Sequence, residues 1–255
     1  MRREPYPILE YDASPTAVIE PRKIIASVDT PEHCVPTFFQ EVIERLCSDG
    51  RAREIACMHS EMGRHPLYEV AFGGRRLATY LSGVTAPFAG AMLDETIALG
   101  CRKFVACGSA GVLDRSIPAC QVIVPRSAVR DEGTSYHYIP PSREVSASPE
   151  ALSALERVLN ARGVSYIEGK TWTTDAFYRE TPAKVELRRS EGCLTVEMEA
   201  AAFFAVAEFR GVPFAQVLYG GDDVSGAEWD DRRWKSRTEV RQALFELAVE
   251  ACLEL

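Results

Sequence analysis

The chain has 255 residues, of which 46% are hydrophobic, and its 37 acidic against 29 basic residues give a formal net charge of -8. This length and composition indicate a folded protein with a large core, and the acidic balance argues against a general affinity for nucleic acid or anionic membranes, which leaves a small molecule as the expected partner. No run reaches the length of a transmembrane helix, and MRREPYPILEYD at the start lacks the apolar core of a signal peptide.

The eight cysteines are scattered along the chain, with no C-x-x-C pair and no histidine at the spacing of a zinc site. Most stand in apolar runs, where free buried thiols are common. These features predict a reduced, cytoplasmic protein without a structural metal.

Strand-like apolar runs alternate with helical patterns along the chain. Strands are predicted at 23–27, 54–57, 77–81, 103–107, 121–124, 166–173 and 214–219. Helices are predicted at 34–49, 86–99, 149–162, 199–210 and from 231 to 255. With no internal repeat and no linker, this alternation predicts a single α/β domain, residues 1–255, in which helices flank a central mixed β-sheet. Ligands of such sheets bind beyond the carboxyl ends of strands, so the segments after the strands are the candidates.

The segment LSGVTAPFAGAMLDETIALG, residues 81–100, follows a predicted strand. It places Ser82, Gly83 and Thr85 before a helix whose first N–H groups are free to bind an anion or a polar ligand. The ordinary alternative is a strand-to-helix turn whose small residues permit close packing.

The segment KFVACGSAGVL, residues 103–113, is predicted to end a buried strand in a loop from Gly108 to Gly111. Such a loop presents N–H groups and the hydroxyl of Ser109 with little side-chain bulk, as phosphate or carboxylate recognition requires. It matches neither a Walker loop nor G-x-G-x-x-G, and a plain tight turn is the alternative.

Two further segments after strands carry rings. RDEGTSYHY, residues 130–138, contains His137 in what is otherwise a solvated loop. WTTDAFYRE, residues 172–180, places Phe177 and Tyr178 where a ring can stack on a flat base, with core packing as the alternative.

The segment VLYGGDDVSG, residues 217–226, brings Asp222 and Asp223 to the end of a buried strand. A carboxyl group that is partly desolvated there has a raised pKa and suits a general acid. An acidic turn is the alternative interpretation.

The stretch CLTVEMEAAAFFAVAEFRGVPF, residues 193–214, contains two carboxylates in surroundings that otherwise suit a core. Glu197 and Glu199 straddle Met198 at the point where an apolar run becomes a helix. Charged groups are seldom placed near a core without a partner, although acids are also favoured at helix N-termini. The pair therefore predicts a bound ligand with hydrogen-bond donors.

Taken together and in this order, the segments between Leu77 and Val224 resemble the purine nucleoside and uridine phosphorylase family, which includes methylthioadenosine/adenosylhomocysteine nucleosidases. VEMEAAAFFAVA is the most specific piece, because Glu-Met-Glu at the head of a small-residue helix is how these enzymes hold ribose. GSAG followed by VLDRSIPACQVIVP is also similar, as is TTDAFY. The resemblance implies a nucleoside phosphorylase-like fold, no cofactor, inorganic phosphate as co-substrate and a homo-oligomer.

The resemblance also implies roles for the sugar and base residues. Glu199 would accept hydrogen bonds from ribose hydroxyls, with Glu197 beside it and Met198 packing against the sugar. Phe177 would stack on the nucleobase, and Asp222 would protonate the departing base. Breaking an N-glycosidic bond builds positive charge on ribose and negative charge on the base, so a carboxylate and an acid answer both needs.

For phosphate, the resemblance implies contacts from Gly108 and Ser109, and this part of the site departs from the family. Phosphorolytic members have a Gly-Asp-Pro-x-Arg loop near the N-terminus, where this chain has YDASPTAVIEP, residues 11–21. Ala106 replaces the arginine that commonly stands three residues before the serine. Arg64 from a neighbouring subunit is the candidate replacement.

The leading hypothesis is therefore a nucleoside phosphorylase that uses phosphate to release the free base and ribose 1-phosphate. A purine-like base is favoured over uridine, because Thr181 and Ala183 stand where uridine enzymes have glutamine and arginine. The alternatives are a nucleosidase that uses water and a non-catalytic nucleoside-binding protein. The missing arginines favour both alternatives, whereas the retained Glu-Met-Glu and Asp222 speak against the second.

Overall fold

The computed structural model describes residues 3–255 and builds them around one ten-stranded mixed sheet. The strands are β1 (His33–Thr37), β2 (Ala52–Ser60), β3 (Gly63–Phe72), β4 (Arg75–Leu81), β5 (Lys103–Val112), β6 (Val122–Asp131), β7 (Glu144–Ser146), β8 (Tyr166–Thr174), β9 (Cys193–Glu197) and β10 (Phe214–Asp223). The helices are α1 (Pro21–Ile24), α2 (Gln40–Ser48), α3 (Ala86–Leu99), α4 (Pro149–Ala161), α5 (Pro182–Ser190), α6 (Ala200–Arg210) and α7 (Thr238–Leu253). The predicted α/β class with a central mixed sheet is confirmed.

Strand β5 connects two parts of the sheet. The order is β10-β6-β8-β9-β5-β1-β4-β3-β2, and β10 also pairs with β5, so five strands close into a ring from which β1, β4, β3 and β2 extend. Parallel pairing places Thr37, at the end of β1, beside both Leu81 and Cys107. Antiparallel pairing of β9 with β5 places Val196 beside Gly111. The carboxyl ends of β1, β4 and β9 therefore meet along the second half of β5.

Two predicted elements near the N-terminus are wrong. Residues 23–27, predicted as a strand, form the last part of α1 and the chain after it, because Pro21 at the first helical position presets a helical φ. Residues 34–37, predicted as the start of a helix, form β1, which is almost wholly buried. A short apolar run buried on both faces has no periodicity that separates strand from helix.

Other elements were missed or misplaced by the sequence patterns. Strands β3, β7 and β9 and helix α5 were not predicted, and the last helix begins at Thr238 rather than at residue 231. Residues 224–237 are instead mostly irregular, with one short helical turn at Trp234–Ser236, and Asp230 pairs with Asp223 at the end of β10. Within this segment, Arg232 and Arg233 have φ angles of 45° and 53°, a left-handed conformation that non-glycine residues seldom adopt.

Helices α3 and α6 are apolar around most of their circumference and pack against each other inside the fold. In α6, all residues from Ala200 to Ala207 are buried. Gly90 of α3 lies close to α6, since a Cβ there would be 3.6 Å from Val206. This close packing brings the N-termini of the two helices together, and both N-termini follow strands of the site described below.

Residues 3–255 contain no helix with the length and apolarity needed to cross a membrane. The same part of the chain holds no cluster of three or more His, Cys, Asp or Glu side chains placed to bind a metal ion. All eight cysteines are free thiols, and Cys34, Cys101, Cys107, Cys193 and Cys252 are buried.

Candidate functional site

The Glu197 carboxylate anchors the junction between β9 and α6. One of its oxygens accepts hydrogen bonds from the backbone N–H groups of Glu199 and Ala200, at 2.7 and 2.6 Å, which are orphan donors of the first helical turn. The other accepts from the hydroxyl groups of Thr173, at 2.6 Å, and Thr171, at 3.4 Å. Because both oxygens are engaged inside the chain, Glu197 positions the residues that follow it.

Glu199 is buried beside Glu197 but receives fewer hydrogen bonds. Its carboxylate accepts the backbone N–H of Thr85 at 2.7 Å. Burial, and after it the neighbouring charge of Glu197, raises the pKa of Glu199 to about 8. A buried carboxyl with unused acceptor positions is suited to binding a ligand that carries hydroxyl groups. Met198, between the two glutamates, is half-buried.

The segment from Ser82 to Thr85 is held tightly against this junction. Ser82 donates its N–H to the carbonyl of Thr37 at 2.7 Å, and a Cβ at Gly83 would lie 1.7 Å from the ring of Phe88. Thr85 has a φ of 88°, so its backbone is strained for a residue with a side chain. The segment from Ser82 to Thr85 was predicted to bind an anion, and the acidic group that it contacts in the structure is the Glu199 carboxylate.

Gly108 and Ser109 lie within strand β5, so the predicted loop from Gly108 to Gly111 is wrong. The strand continues to Val112 because β10 pairs alongside it. A Cβ at Gly108 would lie 3.0 Å from the ring of Phe38, so the aromatic side chain occupies the space next to this glycine. Ser109 is half-buried and lies beside Tyr219 of β10.

The cation that the chain brings towards Ser109 is Arg241 of α7, which the sequence patterns did not indicate. Its guanidinium donates to the Tyr219 hydroxyl at 3.1 Å and to the Glu41 carboxylate at 2.9 Å. The side chain of Arg241 is only 10% exposed, and its charge is matched by Glu41. Tyr219 separates this ion pair from Ser109.

Arg64 lies away from Ser109 within one chain. It belongs to β3 and forms an ion pair with Glu54 of β2 at 2.5 Å, in an exposed hairpin. Strand β3 is three positions from β5 in the sheet, or about 14 Å at ordinary strand spacing. The folded chain alone does not bring these two predicted residues together.

The segment YDASPTAVIEP lies on another part of the molecule. Most residues from Asp12 to Pro21 line a cavity of about 770 Å³ that is also bounded by α3, α6 and the turn containing His137. None of the predicted sugar, base or phosphate residues lines this cavity. These residues therefore face a different part of the molecule from Gly108 and Ser109. The segment that follows the first strand of the sheet begins at Phe38.

Asp222 lies at the end of β10 with its carboxylate close to Gly111 of β5. One of its oxygens would be 3.4 Å from a Cβ at Gly111, and the other accepts the indole N–H of Trp229 at 2.7 Å. The adjacent Asp223 is buried and forms an ion pair with Arg232 at 2.7 Å, so it serves to hold the segment after β10. Phe177 is 50% exposed in a short turn after β8, where its ring is accessible to a flat ligand.

Glu180 is a further residue of this region that the sequence patterns missed. It is half-buried at the end of the turn that contains Phe177. Burial, and after it the charge of Asp222, raises the pKa of Glu180 to about 7. The sequence patterns identified the segment WTTDAFYRE but not the raised pKa of Glu180, because that shift comes first from burial in the fold.

The site therefore contains two pairs of carboxyl groups with different surroundings. Glu197 and Glu199 lie at the head of α6, whereas Asp222 lies at the end of β10 and Glu180 follows the turn after β8. Gly111 connects them, because it neighbours both Val196 of β9 and the Asp222 carboxylate. Such an arrangement can bind a polyhydroxylated group at one end and exchange a proton at the other.

Comparisons with known proteins show the family and the fold of this chain. The family model described as the phosphorylase superfamily matches residues 33–254. A guanosine phosphorylase of Halorubrum lacusprofundi is 26% identical over 210 residues, which span 79% of this chain and 84% of that protein. A purine nucleoside phosphorylase of Toxoplasma gondii, solved in complex with immucillin-H, superposes with a TM-score of 0.76 at 19% identity, covering 88% of this chain and 91% of that chain. An AMP nucleosidase of Bacteroides thetaiotaomicron superposes with a TM-score of 0.69 at 19% identity, covering 88% and 87%.

Proposed function

Because the chain belongs to the phosphorylase superfamily, we propose that it is a nucleoside phosphorylase, which transfers the ribosyl group of a nucleoside to inorganic phosphate and releases the free base. The observation that carries this proposal is the buried Glu199 carboxyl at the head of α6, which is fixed by Thr85 and keeps acceptor positions free. A buried acid without a cationic partner is costly unless a ligand supplies donors.

At the sugar, Glu199 accepts hydrogen bonds from the ribose hydroxyls and Met198 packs against the ring. Glu197 was predicted to contact ribose as well, but its oxygens already accept four hydrogen bonds from the chain. We therefore assign it the role of holding Glu199 in place. Fixed carboxylates near the sugar stabilise the positive charge that develops as the glycosidic bond breaks.

At the base, Phe177 stacks on the ring and Asp222 supplies the proton that neutralises the departing base. A purine-like base is favoured, since purines offer a ring nitrogen for that proton. The indole N–H of Trp229 orients Asp222 towards Gly111 and the sugar site. Proton transfer from a positioned acid typically contributes about 10²- to 10⁴-fold to the rate.

Phosphate enters on the side of Gly108 and Ser109, and no organic cofactor or metal takes part. Arg64 contacts this phosphate from a neighbouring copy, so the active protein is a homo-oligomer. A neighbouring copy is needed because β3 carries Arg64 away from Ser109 in its own chain. The free thiols support the cytoplasm as the location.

The proposal is tested by separating free base from nucleoside chromatographically, using a panel of purine and pyrimidine nucleosides. We expect base release that depends on added phosphate and is accompanied by ribose 1-phosphate. If no nucleoside on the panel is cleaved at any phosphate concentration, the proposal is wrong.

A hydrolytic nucleosidase is the second candidate, and the ring of Phe38 favours it. That ring fills the space beside Gly108, and the charge of Arg241 is already matched by Glu41. Water needs less room and no cationic partner. This activity would be identified if base were released equally fast in the presence of phosphate and after phosphate had been rigorously removed. The sugar product would then be ribose instead of ribose 1-phosphate.

A further inference from the structure

Asp222 and Asp223 follow each other at the end of β10, but their carboxylates have different partners. Asp223 forms ion pairs with Arg232 at 2.7 Å and with Arg115 at 3.6 Å. It also accepts the hydroxyl and the backbone N–H of Ser225, at 2.6 and 2.8 Å. Because two cations and two donors favour the ionised form of a carboxyl group, Asp223 serves as an anchor for the chain and not as a source of protons.

The carboxylate of Asp222 has one hydrogen-bond partner within residues 3–255, and that partner is uncharged. Its Oδ2 atom accepts the indole N–H of Trp229 at 2.7 Å, whereas no donor in this part of the chain forms a hydrogen bond with Oδ1. Both oxygens lie against Gly111, since a Cβ there would be 3.4 Å from Oδ1 and 3.6 Å from Oδ2. A neutral donor orients a carboxyl group without the full charge of a cation. Asp222 can therefore carry a proton, and Oδ1 is its free oxygen.

Trp229 is placed by the segment that returns along the end of β10. Asp230 exchanges two backbone hydrogen bonds with Asp223, at 2.8 and 3.1 Å, and the ion pair of Arg232 with Asp223 holds the same segment. The Trp229 side chain itself is 65% exposed. Its position at Asp222 therefore depends on these ties and on its own hydrogen bond.

This one hydrogen bond determines which oxygen of a protonated Asp222 carries the proton. In a carboxylic acid the O–H oxygen is the donor, and the carbonyl oxygen keeps the acceptor capacity. Because the indole N–H of Trp229 occupies Oδ2, the proton resides on Oδ1. After that proton has left, the same N–H stabilises the carboxylate that remains, since a hydrogen bond to a charged group favours the charged form.

We propose that Trp229 is a positioning residue for acid catalysis, which keeps the proton of Asp222 on Oδ1 and directs it to N7 of a departing purine. In this step the bond between C1′ and N9 breaks and its electron pair goes to the base. N7 takes the proton from Oδ1, and a phosphate oxygen forms a bond to C1′. Asp222 is left as a carboxylate and regains a proton from water. The inference rests on the proposed phosphorolysis and adds the residue that controls its acid.

The test compares inosine with 7-methylinosine in wild type and in Trp229→Phe, at saturating phosphate. The methyl group of 7-methylinosine occupies N7 and gives the five-membered ring a positive charge, so its base departs without a proton from Asp222. Phenylalanine keeps an aromatic ring but removes the N–H donor. We expect kcat/KM to fall about 10-fold or more for inosine and to change less than about threefold for 7-methylinosine.

Trp234→Phe is the matched control, because it makes the same substitution in the same segment. The Trp234 ring lies beside the guanidinium of Arg241, 5.4 Å from the ring centroid, and within residues 3–255 the indole bonded to Asp222 is that of Trp229. The control should keep the wild-type ratio of kcat/KM for the two nucleosides, and thermal melting should show that both variants are folded. An equal fall on both nucleosides in Trp229→Phe, or no fall on inosine, would overturn the inference.

Binding of hypoxanthine and 7-deazahypoxanthine, measured by calorimetry, separates this inference from the proposed function. The second compound has a C–H group in place of N7 and accepts no hydrogen bond there. If wild type cleaves no nucleoside but binds hypoxanthine about 10-fold more tightly, and Trp229→Phe removes that preference, the proposed function fails and the role of Trp229 stands. If nucleosides are cleaved and Trp229→Phe changes neither the kinetic ratio nor the binding preference, the role of Trp229 fails alone.

Discussion

The backbone N–H of Thr85 donates a 2.7 Å hydrogen bond to the carboxylate of Glu199, although the two residues belong to segments that are distant along the chain. Thr85 caps the N-terminus of α3, and Glu199 caps that of α6. The same residue has a φ of 88°, a backbone conformation that is strained for a residue with a side chain. Backbone strain at this position is therefore coupled to the placement of the sugar-site carboxyl.

Replacing Thr85 by glycine should retain the N–H and relieve the strain. Relief of a left-handed residue is worth about 1–3 kcal/mol, and the added freedom of glycine in the unfolded chain offsets up to about 1 kcal/mol. We expect the free energy of unfolding, measured by urea denaturation, to rise by about 1 kcal/mol. The control is Thr16→Gly, at an exposed residue outside the left-handed region. A loss of stability in Thr85→Gly would show that the side chain contributes more than the strain costs.

Glu199→Gln should strongly reduce base release. The amide retains the shape but replaces one carboxyl oxygen with an NH₂ group, which donates and cannot accept a hydrogen bond from a ribose hydroxyl, so we expect kcat to fall about 10²-fold. Steady-state kinetics on a nucleoside that wild type cleaves is the measurement. Glu208→Gln, an exposed position on the same helix, should behave as wild type. Unchanged turnover in Glu199→Gln would rule out the assigned role.

Stability should fall as pH rises through the range between the unfolded and folded pKa values of Glu199. The unfolded carboxyl ionises near pH 4.3, whereas the folded pKa is about 8, so in between the folded protein keeps a proton that the unfolded chain has lost. Glu180, whose pKa is raised to about 7, acts in the same direction. We expect the Tm to decrease from about pH 5 to pH 8 more steeply in wild type than in Glu199→Gln. Parallel Tm curves would contradict the pKa assigned to Glu199.

Replacing Asp131 should destabilise the protein, because this carboxylate holds two basic residues of α5. Its carboxylate accepts from the Trp172 indole at 3.0 Å, from Arg188 at 3.0 Å and from Lys184 at 3.2 Å. Arg188 is buried, so Asp131→Asn leaves a partly uncompensated cation, and we expect a loss of about 2 kcal/mol in the free energy of unfolding. The measurement is the free energy of unfolding from urea denaturation, compared between Asp131→Asn and Asp49→Asn, a control at an exposed residue. Equal stabilities would show that Glu191 alone satisfies Arg188.

The sequence predicts the α/β class and the candidate segments because these depend on local patterns. The helices 86–99 and 149–162 are nearly correct, since Pro87 and Pro149 mark their starts and glycine follows each end. Strand β9 was missed because its five residues run directly into the apolar helix α6. Nothing local separates such a strand from an extra helical turn.

The contacts that define the site could not be predicted from local patterns. The bond from Thr85 to Glu199, and the approach of the Asp222 carboxylate to Gly111, depend on how β4, β9 and β10 are placed around β5. The position of Phe38 against Gly108 depends likewise on the parallel pairing of β1 with β5. A sequence pattern identifies the residue types in each segment, but only the sheet register decides which of them become neighbours.

Substitutions within the closed ring of five strands should disturb the fold more than substitutions in the segments outside it. Glu197 and Asp222 end strands that are paired on both sides, so a shift of either would disturb the pairing around the whole ring. Glu180 and Trp229 lie in segments outside those strands, where substitutions leave the pairing intact. Substitutions in these outer segments can therefore change the contacts made beside Asp222 while the strand pairing that holds Glu197 and Glu199 is kept.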